Sequence, residues 1–205
     1  MKLYDSFRAP NPRRVRWFMA EKAIEDIEIV NVDIFKGEHK TPSYMKRAGL
    51  PNVPALELDD GTTITESVAI CRYLESRYPE PNLFGHTPEE TAIIEMWTRR
   101  AEMMLATPLM MTVRHSHPAL AALEKQIPEI ADVNRTGAEK VLKVFDRRLR
   151  DSAFIAGDRI TMADILAATA IDFARMAKFK VPEEYAYVAG WYAGMMERPA
   201  AKAGV

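Results

Sequence analysis

The chain of 205 residues has little sulfur chemistry of its own, because Cys71 is its single cysteine. One cysteine excludes an internal disulfide, a CxxC redox pair and a zinc site built from several thiolates. Any reaction at a thiol must therefore use a thiol that another molecule brings.

An excess of one charge and a long apolar run are also missing. The 28 Lys and Arg side chains nearly balance the 29 Asp and Glu side chains, so no long-range attraction to nucleic acid or anionic lipid is expected. No segment approaches the ~20 apolar residues of a membrane span, and the first residues lack the apolar run of a signal peptide. We expect a cytoplasmic protein without nucleic-acid or membrane partners.

The hydrophobic pattern changes character near Phe84. Before it, short apolar runs alternate with helical periods, which predicts an α/β unit of order βαβαββα. After it the strand signals stop, and the pattern predicts an all-helical unit, so the fold class is α+β. We place the first domain at residues 1–78, a proline-containing linker at 79–87 and the helical domain at 88–205.

Two signals predict details of the helical domain. The stretch from Pro88 to about Arg114 predicts one long helix or a kinked pair, because Pro108 removes a backbone donor and should bend it. Thr161 and Asp164 have the spacing of a capping box, which predicts that a helix begins there.

Two histidines of the helical domain are weak candidates for a metal site. His115 and His117 lie two residues apart, and therefore on different faces of a helix, with no acidic or thiol partner beside them. We expect both side chains to face solvent and predict no metal.

Motifs spread over nearly the whole chain resemble those of the soluble, cytosolic glutathione S-transferase superfamily, with bacterial, zeta-, theta- and Nu-like features. The resembling segments are Arg14-Val15-Arg16, Gly37-Glu38-His39, Val53-Pro54-Ala55-Leu56, Thr65–Ile70 and the capping-box segment Phe154–Asp164. The resemblance implies a thioredoxin-like N-terminal domain and an all-helical bundle as the C-terminal domain. It also implies a homodimer that uses glutathione as co-substrate.

The two central motifs imply a site for the glutathione backbone. In the family a cis peptide before Pro54 turns the Val53 backbone outward, where it can pair with the tripeptide as an added strand. Ser67 and free N–H groups at a helix start suit the γ-glutamyl carboxylate, and Glu66 would meet the ammonium group. Taken alone, Ser67 fits a plain helix cap better. The other implied contacts are His39, Lys40 and Asn52.

The loop expected to carry the chemistry departs from the family pattern. Ala9 falls where the zeta class has the first serine of its Ser-Ser-Cys, so the usual hydroxyl is absent. Asn11 offers amide N–H donors just before a helix predicted to begin at Pro12, whose dipole favours an anion. We predict that Asn11 stabilises the glutathione thiolate, with Ser6 or Arg8 as secondary candidates. A role for Asn11 as a helix cap alone stays open.

Three functions are compatible with these residues. The first is a transferase that conjugates the glutathione thiolate to a small hydrophobic electrophile, the second is a glutathione-dependent disulfide reductase of the Nu kind, and the third is a glutathione-binding or assembly module without catalysis. Methionines can line an adaptable pocket for an electrophile, although most belong to the core by default. The predicted contacts to the electrophile are Arg8, Ala9, Met103, Met104, Thr107 and Met111.

Overall fold

A computed structural model describes residues 1–203 and divides the chain into two compact units. The first unit is Met1–Asn82 together with the described residues from Pro199 onward, and the second unit is Leu83–Arg198. The division between Asn82 and Leu83 lies inside the segment predicted as a linker.

The last described helical turn belongs to the first unit. The predicted helical domain continues to the C-terminus, whereas the structure packs Pro199–Lys202 against the first helix of the chain. The guanidinium of Arg13 donates a hydrogen bond to the Ala201 carbonyl at 3.1 Å. Because Arg13 is buried away from solvent, the hydrogen bond to this carbonyl offsets part of the cost of burying the guanidinium.

The described part of the first unit contains a four-stranded sheet and three α-helices. The strands are β1 (Lys2–Asp5), β2 (Glu28–Asn31), β3 (Ala55–Glu57) and β4 (Thr63–Thr65), in the spatial order β2-β1-β3-β4. The helices are α1 (Pro10–Glu21), α2 (Pro42–Ala48) and α3 (Ser67–Arg77). β1 is parallel to β2 and antiparallel to β3, which is antiparallel to β4. The predicted order βαβαββα is confirmed.

Proline and threonine set the helix starts in this unit. α1 begins at Pro10, two residues before the predicted start at Pro12, because a first helical turn requires no N–H from either proline. α2 begins at Pro42, directly after Thr41, whose hydroxyl accepts a hydrogen bond from the Tyr44 N–H.

Both faces of the sheet are covered. Because neighbouring residues of a strand point to opposite sides, adjacent residues of β1 belong to two different cores. Leu3 and Leu56 are opposite each other in register and fully buried, and α1 packs against α3. The next residue of β1 begins a second core that includes residues of α2. We call it the tyrosine cluster, and its members are Tyr4, Val32, Tyr44, Ala48 and Ala55.

The second unit is built from helices. They are α4 (Pro88–Arg100), α5 (Thr107–Ser116), α6 (Pro128–Arg150), α7 (Met162–Ala174) and α8 (Ala186–Glu197). Every residue from Met162 to Ile171 is buried, as expected for a helix that is apolar on all sides and forms the centre of a core. The fold class predicted from the pattern, α+β with an all-helical second part, is confirmed. Among the described residues, no helix is long and apolar enough to cross a membrane.

The predicted irregularity near Pro108 is a π-helical segment, Ala101–Ala106, between α4 and α5. In an α-helix the Pro108 ring would clash with the carbonyl four residues earlier, and the wider turn moves that carbonyl away. Met103 and Met104 lie in this segment and are 60% and 49% exposed. Their exposure is compatible with the predicted contacts to an electrophile, which stay a prediction.

His115 is buried, and the expectation that it faces solvent is wrong. The chain after α5 folds back, so that the Nδ1 atom of His115 accepts a hydrogen bond from the Ile127 N–H at 3.2 Å. This backbone donor satisfies one imidazole nitrogen away from water. Within residues 1–203, no group of three or more His, Cys, Asp or Glu side chains could hold a metal ion.

The capping box at the start of α7 is formed as predicted. One oxygen of Asp164, Oδ2, accepts hydrogen bonds from the Thr161 N–H at 2.9 Å and from the Thr161 hydroxyl at 2.8 Å. The other oxygen, Oδ1, accepts from the Ile155 N–H at 2.8 Å and from the Trp191 indole at 3.0 Å. Asp164 is fully buried, and through these hydrogen bonds it connects α7 with α8 and with the loop before α7.

The contribution of Asp164 to stability should decrease as the pH rises. Burial raises the pKa of Asp164 from 3.8 to about 6, although its hydrogen bonds lower it. Between these pH values the folded chain holds more protons than the unfolded chain, so the free energy of unfolding falls as the pH rises through about 6. We expect the stability advantage of the wild type over Asp164→Asn to shrink by about 1–3 kcal/mol from pH 4 to pH 7 in urea titrations. A constant difference would contradict this.

Candidate functional site

The segment before β3 presents backbone groups that no strand uses. Val53 is half-buried, its peptide bond to the buried Pro54 is cis, and β3 begins only at Ala55. In the described part of the chain, neither the N–H nor the carbonyl of Val53 forms a backbone hydrogen bond. An extended peptide can therefore pair with Val53, as a strand pairs with a sheet edge.

The start of α3 combines an unusual backbone angle with free donors. Glu66 has a φ of +65°, which a residue with a side chain rarely adopts. Glu66, and not Ser67 as predicted, is the N-cap, and its carbonyl accepts the Ile70 N–H at 2.9 Å. Ser67 is the first helical residue, and its N–H and that of Val68 have no acceptor within the helix. Such a backbone outlier beside free donors is typical of a ligand site.

Arg14 holds the Ser67 hydroxyl in place. The Nη1 atom of Arg14 donates a hydrogen bond to Ser67 Oγ at 2.8 Å, and both residues are buried. Because Ser67 Oγ accepts from Arg14, its own proton is left for another acceptor. The sequence places Arg14 in a family motif and does not predict this contact. A charged residue inside the apolar pattern of α1 was the available signal.

Asn11 provides a backbone N–H in the first turn of α1. Pro10 and Pro12 flank it, and neither has an N–H. Asn11 is the second helical residue. The N-cap is Ala9, so Asn11 does not occupy the cap position of α1. Residues three apart share a helix face, so Asn11 lies on the same face as Arg14, which contacts Ser67.

The loop between β1 and α1 is fixed by a buried ion pair. Arg16 pairs with Asp5 and also donates a hydrogen bond to the Phe7 carbonyl at 3.0 Å. Burial raises the pKa of Asp5, and the charge of Arg16 opposes that effect. Ser6, which directly follows β1, is buried, and its carbonyl accepts a hydrogen bond from the Ala9 N–H at 2.9 Å.

The remaining residues predicted for this loop and for glutathione differ in exposure. Arg8 is exposed, as are Lys40 and Asn52, whereas Ala9 is half-buried. His39 is buried, and among the described residues its Nδ1 atom has no hydrogen-bond partner. Burial, with a smaller effect of the neighbouring lysine, lowers the pKa of His39, which favours a neutral imidazole.

The predicted electrophile contacts of the second unit lie along one stretch of chain. Met103 and Met104 belong to the π-helical segment, and Thr107 and Met111 belong to α5. Thr107 is exposed like the two methionines before it, and Met111 is half-buried. Their exposure leaves these side chains available for an apolar ligand.

Two family models match this chain. "Glutathione S-transferase, N-terminal domain" matches residues 9–77, and "Glutathione S-transferase, C-terminal domain" matches residues 101–199. The first match contains Asn11, Arg14, Val53 and Ser67, and the second contains the π-helical segment.

Similar proteins cover almost the whole chain. Glutathione S-transferase 2 of Saccharomyces cerevisiae is 36% identical and aligns over 98% of this chain and 88% of its own length. Glutathione S-transferase 1 of Zea mays is 32% identical over 97% of this chain and 92% of its own length.

Solved structures agree with these sequence matches. The crystal structure of Gtt2 from Saccharomyces cerevisiae superposes with a TM-score of 0.92 at 37% identity and covers 100% of both chains. A glutathione S-transferase domain-containing protein from Marinobacter aquaeolei VT8 gives a TM-score of 0.91 at 36% identity, with 98% of this chain and 99% of that chain covered.

Proposed function

The chain belongs to the glutathione S-transferase family, and we propose that it is an enzyme that conjugates the thiolate of glutathione to a small hydrophobic electrophile. The proposal rests on the geometry of the first turn of α3. There the left-handed backbone of Glu66 precedes the buried Ser67, whose hydroxyl accepts a hydrogen bond from Arg14.

The first turn of α3 suits the γ-glutamyl end of glutathione. Free N–H groups and the positive end of the helix dipole favour a carboxylate. The Ser67 hydroxyl, held by Arg14, can donate its proton to the same carboxylate. The exposed side chain of Glu66 supplies the negative charge that the ammonium group requires.

The rest of the tripeptide follows the segment before β3. The unpaired N–H and carbonyl of Val53 can form two backbone hydrogen bonds with glutathione, as in strand addition. His39, Lys40 and Asn52 remain the proposed contacts to the cysteinyl and glycyl parts, because they offer a neutral imidazole, an ammonium group and an amide.

We assign thiolate stabilisation to Asn11. A free thiol has a pKa near ~8.5, so an enzyme active at neutral pH must favour the thiolate by roughly 1–3 kcal/mol. The amide and backbone N–H of Asn11 at the start of α1 are donors of the required kind, and Ser6 and Arg8 stay secondary candidates. The thiol proton passes to solvent, a sulfur–carbon bond forms, and with an aryl halide the carbon–halogen bond breaks.

The contacts proposed for the electrophile come from both units of the chain. Met103 and Met104 are exposed, and flexible thioethers adapt to varied apolar molecules, so we retain them as contacts to the electrophile together with Thr107 and Met111. Arg8 and Ala9 are retained from the loop before α1. The homodimer, the cytoplasmic location, the bacterial origin and the zeta-, theta- or Nu-like class stay predictions.

Two substrates separate the candidate functions. We expect the purified protein to form the glutathione conjugate of an aryl halide. Reduction of a disulfide by glutathione, with little activity on the aryl halide, would instead favour the Nu-like reductase. Binding of glutathione by calorimetry without turnover of either substrate would favour a binding module and contradict the transferase.

Ser67→Ala should raise the KM for glutathione about tenfold, because the ligand carboxylate loses one hydrogen bond worth about 1.4 kcal/mol. Steady-state kinetics with varied glutathione gives this value. Ser76→Ala is the matched control, because Ser76 lies near the other end of α3 and its hydroxyl donates a hydrogen bond to the Arg72 carbonyl at 3.3 Å. An unchanged KM in Ser67→Ala would remove Ser67 from the site.

A further inference from the structure

Tyr44 in α2 contacts the segment before β3 from its buried side. Its hydroxyl donates a hydrogen bond to the Asn52 carbonyl at 2.5 Å, and the residue is only 4% exposed. The contact joins α2 to the residue that immediately precedes Val53. None of the roles given above to the glutathione site includes Tyr44.

The ring of Tyr44 is held firmly. It lies edge-on to the ring of Tyr4, with centroids 6.2 Å apart and an angle of 87° between the planes. Both rings belong to the tyrosine cluster, and the side chain of Val53 packs against that cluster. Burial raises the pKa of Tyr44 to about 12, so the hydroxyl keeps its proton and remains a donor. The same cluster therefore holds the side chain of Val53 and the carbonyl before it.

The hydrogen bond from Tyr44 acts on Val53 through the peptide plane. The Asn52 carbonyl and the Val53 N–H are the two polar ends of one planar trans peptide group, and they point in opposite directions. A carbonyl fixed toward the tyrosine cluster therefore directs the N–H away from it. A hydrogen bond at the oxygen also polarises the peptide group and strengthens the N–H as a donor.

We propose that Tyr44 is a positioning residue for glutathione, because it fixes the Asn52–Val53 peptide in the orientation that offers the Val53 N–H to a backbone carbonyl of the tripeptide. The inference rests on the proposed function. Tyr44 touches neither the sulfur nor the electrophile in this arrangement. Its loss should therefore weaken glutathione binding and leave the chemical step at saturating glutathione unchanged.

The test is Tyr44→Phe, which keeps the ring in the tyrosine cluster and removes only the hydroxyl. We expect the Kd for glutathione, measured by calorimetry, and the KM for glutathione to rise about five- to tenfold. The kcat and the KM for the aryl halide should stay within about twofold of the wild type. Tyr4→Phe is the matched control, because it removes a hydroxyl from the same cluster that bonds Glu57 at 3.2 Å and not the Asn52 carbonyl.

The outcomes separate this inference from the proposed function. A wild type that binds glutathione and a Tyr44→Phe variant that binds it equally well would overturn the positioning role alone. A parallel loss of kcat and of affinity for both substrates would also overturn it, because that pattern indicates general damage to the fold. A wild type that binds no glutathione would overturn the proposed function and the role of Tyr44 with it.

Discussion

Replacing Asp164 with alanine should lower the free energy of unfolding by about 3–5 kcal/mol, because several buried donors lose their acceptor together. The side chains and backbone groups left unpaired are the Thr161 N–H and hydroxyl, the Ile155 N–H and the Trp191 indole. Asp164 is fully buried, so these donors lie away from bulk solvent and lose free energy when the carboxylate is removed. Urea unfolding at pH 7, followed by far-ultraviolet circular dichroism, measures the loss.

The control for this substitution is Asp132→Ala. Asp132 is an exposed aspartate in α6, and its loss should change the free energy of unfolding by no more than about 0.5 kcal/mol. Asp164→Asn keeps an acceptor oxygen and should fall between the alanine variant and the wild type. If Asp164→Ala were as stable as Asp132→Ala, the four hydrogen bonds would have no net stabilising effect.

Asn11→Ala should lower kcat about ten- to a hundredfold with little change in the affinity for glutathione. The variant keeps the backbone N–H and the dipole of α1 and removes only the amide, which we assign to the developing thiolate. A loss of 1–2 pKa units of thiolate stabilisation corresponds to about 1.4–2.7 kcal/mol, which gives this range. Steady-state kinetics at saturating glutathione, together with calorimetry, separates turnover from binding.

Asn11→Asp gives a sharper test through the pH dependence. The aspartate has the shape of asparagine but places a negative charge beside the sulfur, so the pKa of bound glutathione should rise by about 1 unit or more above that of the wild-type complex. The pH profile of kcat reports this pKa. Asn31→Ala, at the exposed end of β2, is the control for loss of an asparagine. Turnover equal to the wild type in Asn11→Ala would remove Asn11 from the mechanism and leave Ser6 or Arg8.

Local pattern was sufficient for the order of the elements. Short apolar runs and helical periods predict βαβαββα followed by helices. The reason is that burial of one face sets the spacing of apolar residues along a whole strand or helix. The capping box at Thr161 and Asp164 was also predictable, since its two residues are only three positions apart. The binding roles of the motifs at Val53 and Ser67 were implied by the resemblance to the family, which rests on short contiguous segments.

Packing over longer distances was outside the reach of these patterns. The burial of His115 depends on where the chain returns after α5. A histidine by itself does not indicate whether its side chain is buried or exposed. The sequence predicts an irregularity near Pro108 but not that it takes the form of the π-helical segment Ala101–Ala106.

The sequence by itself therefore determined the fold class, the family resemblance and the two segments proposed to bind glutathione. Only the tertiary structure decided which side chains hold those segments. Arg14 reaches Ser67 across 53 positions of the chain, and Tyr44 of α2 reaches the Asn52 carbonyl in the segment before β3. The physical reason is that propensity and periodicity act between near neighbours, whereas a buried hydrogen bond depends on how α1, α2 and α3 pack around one sheet.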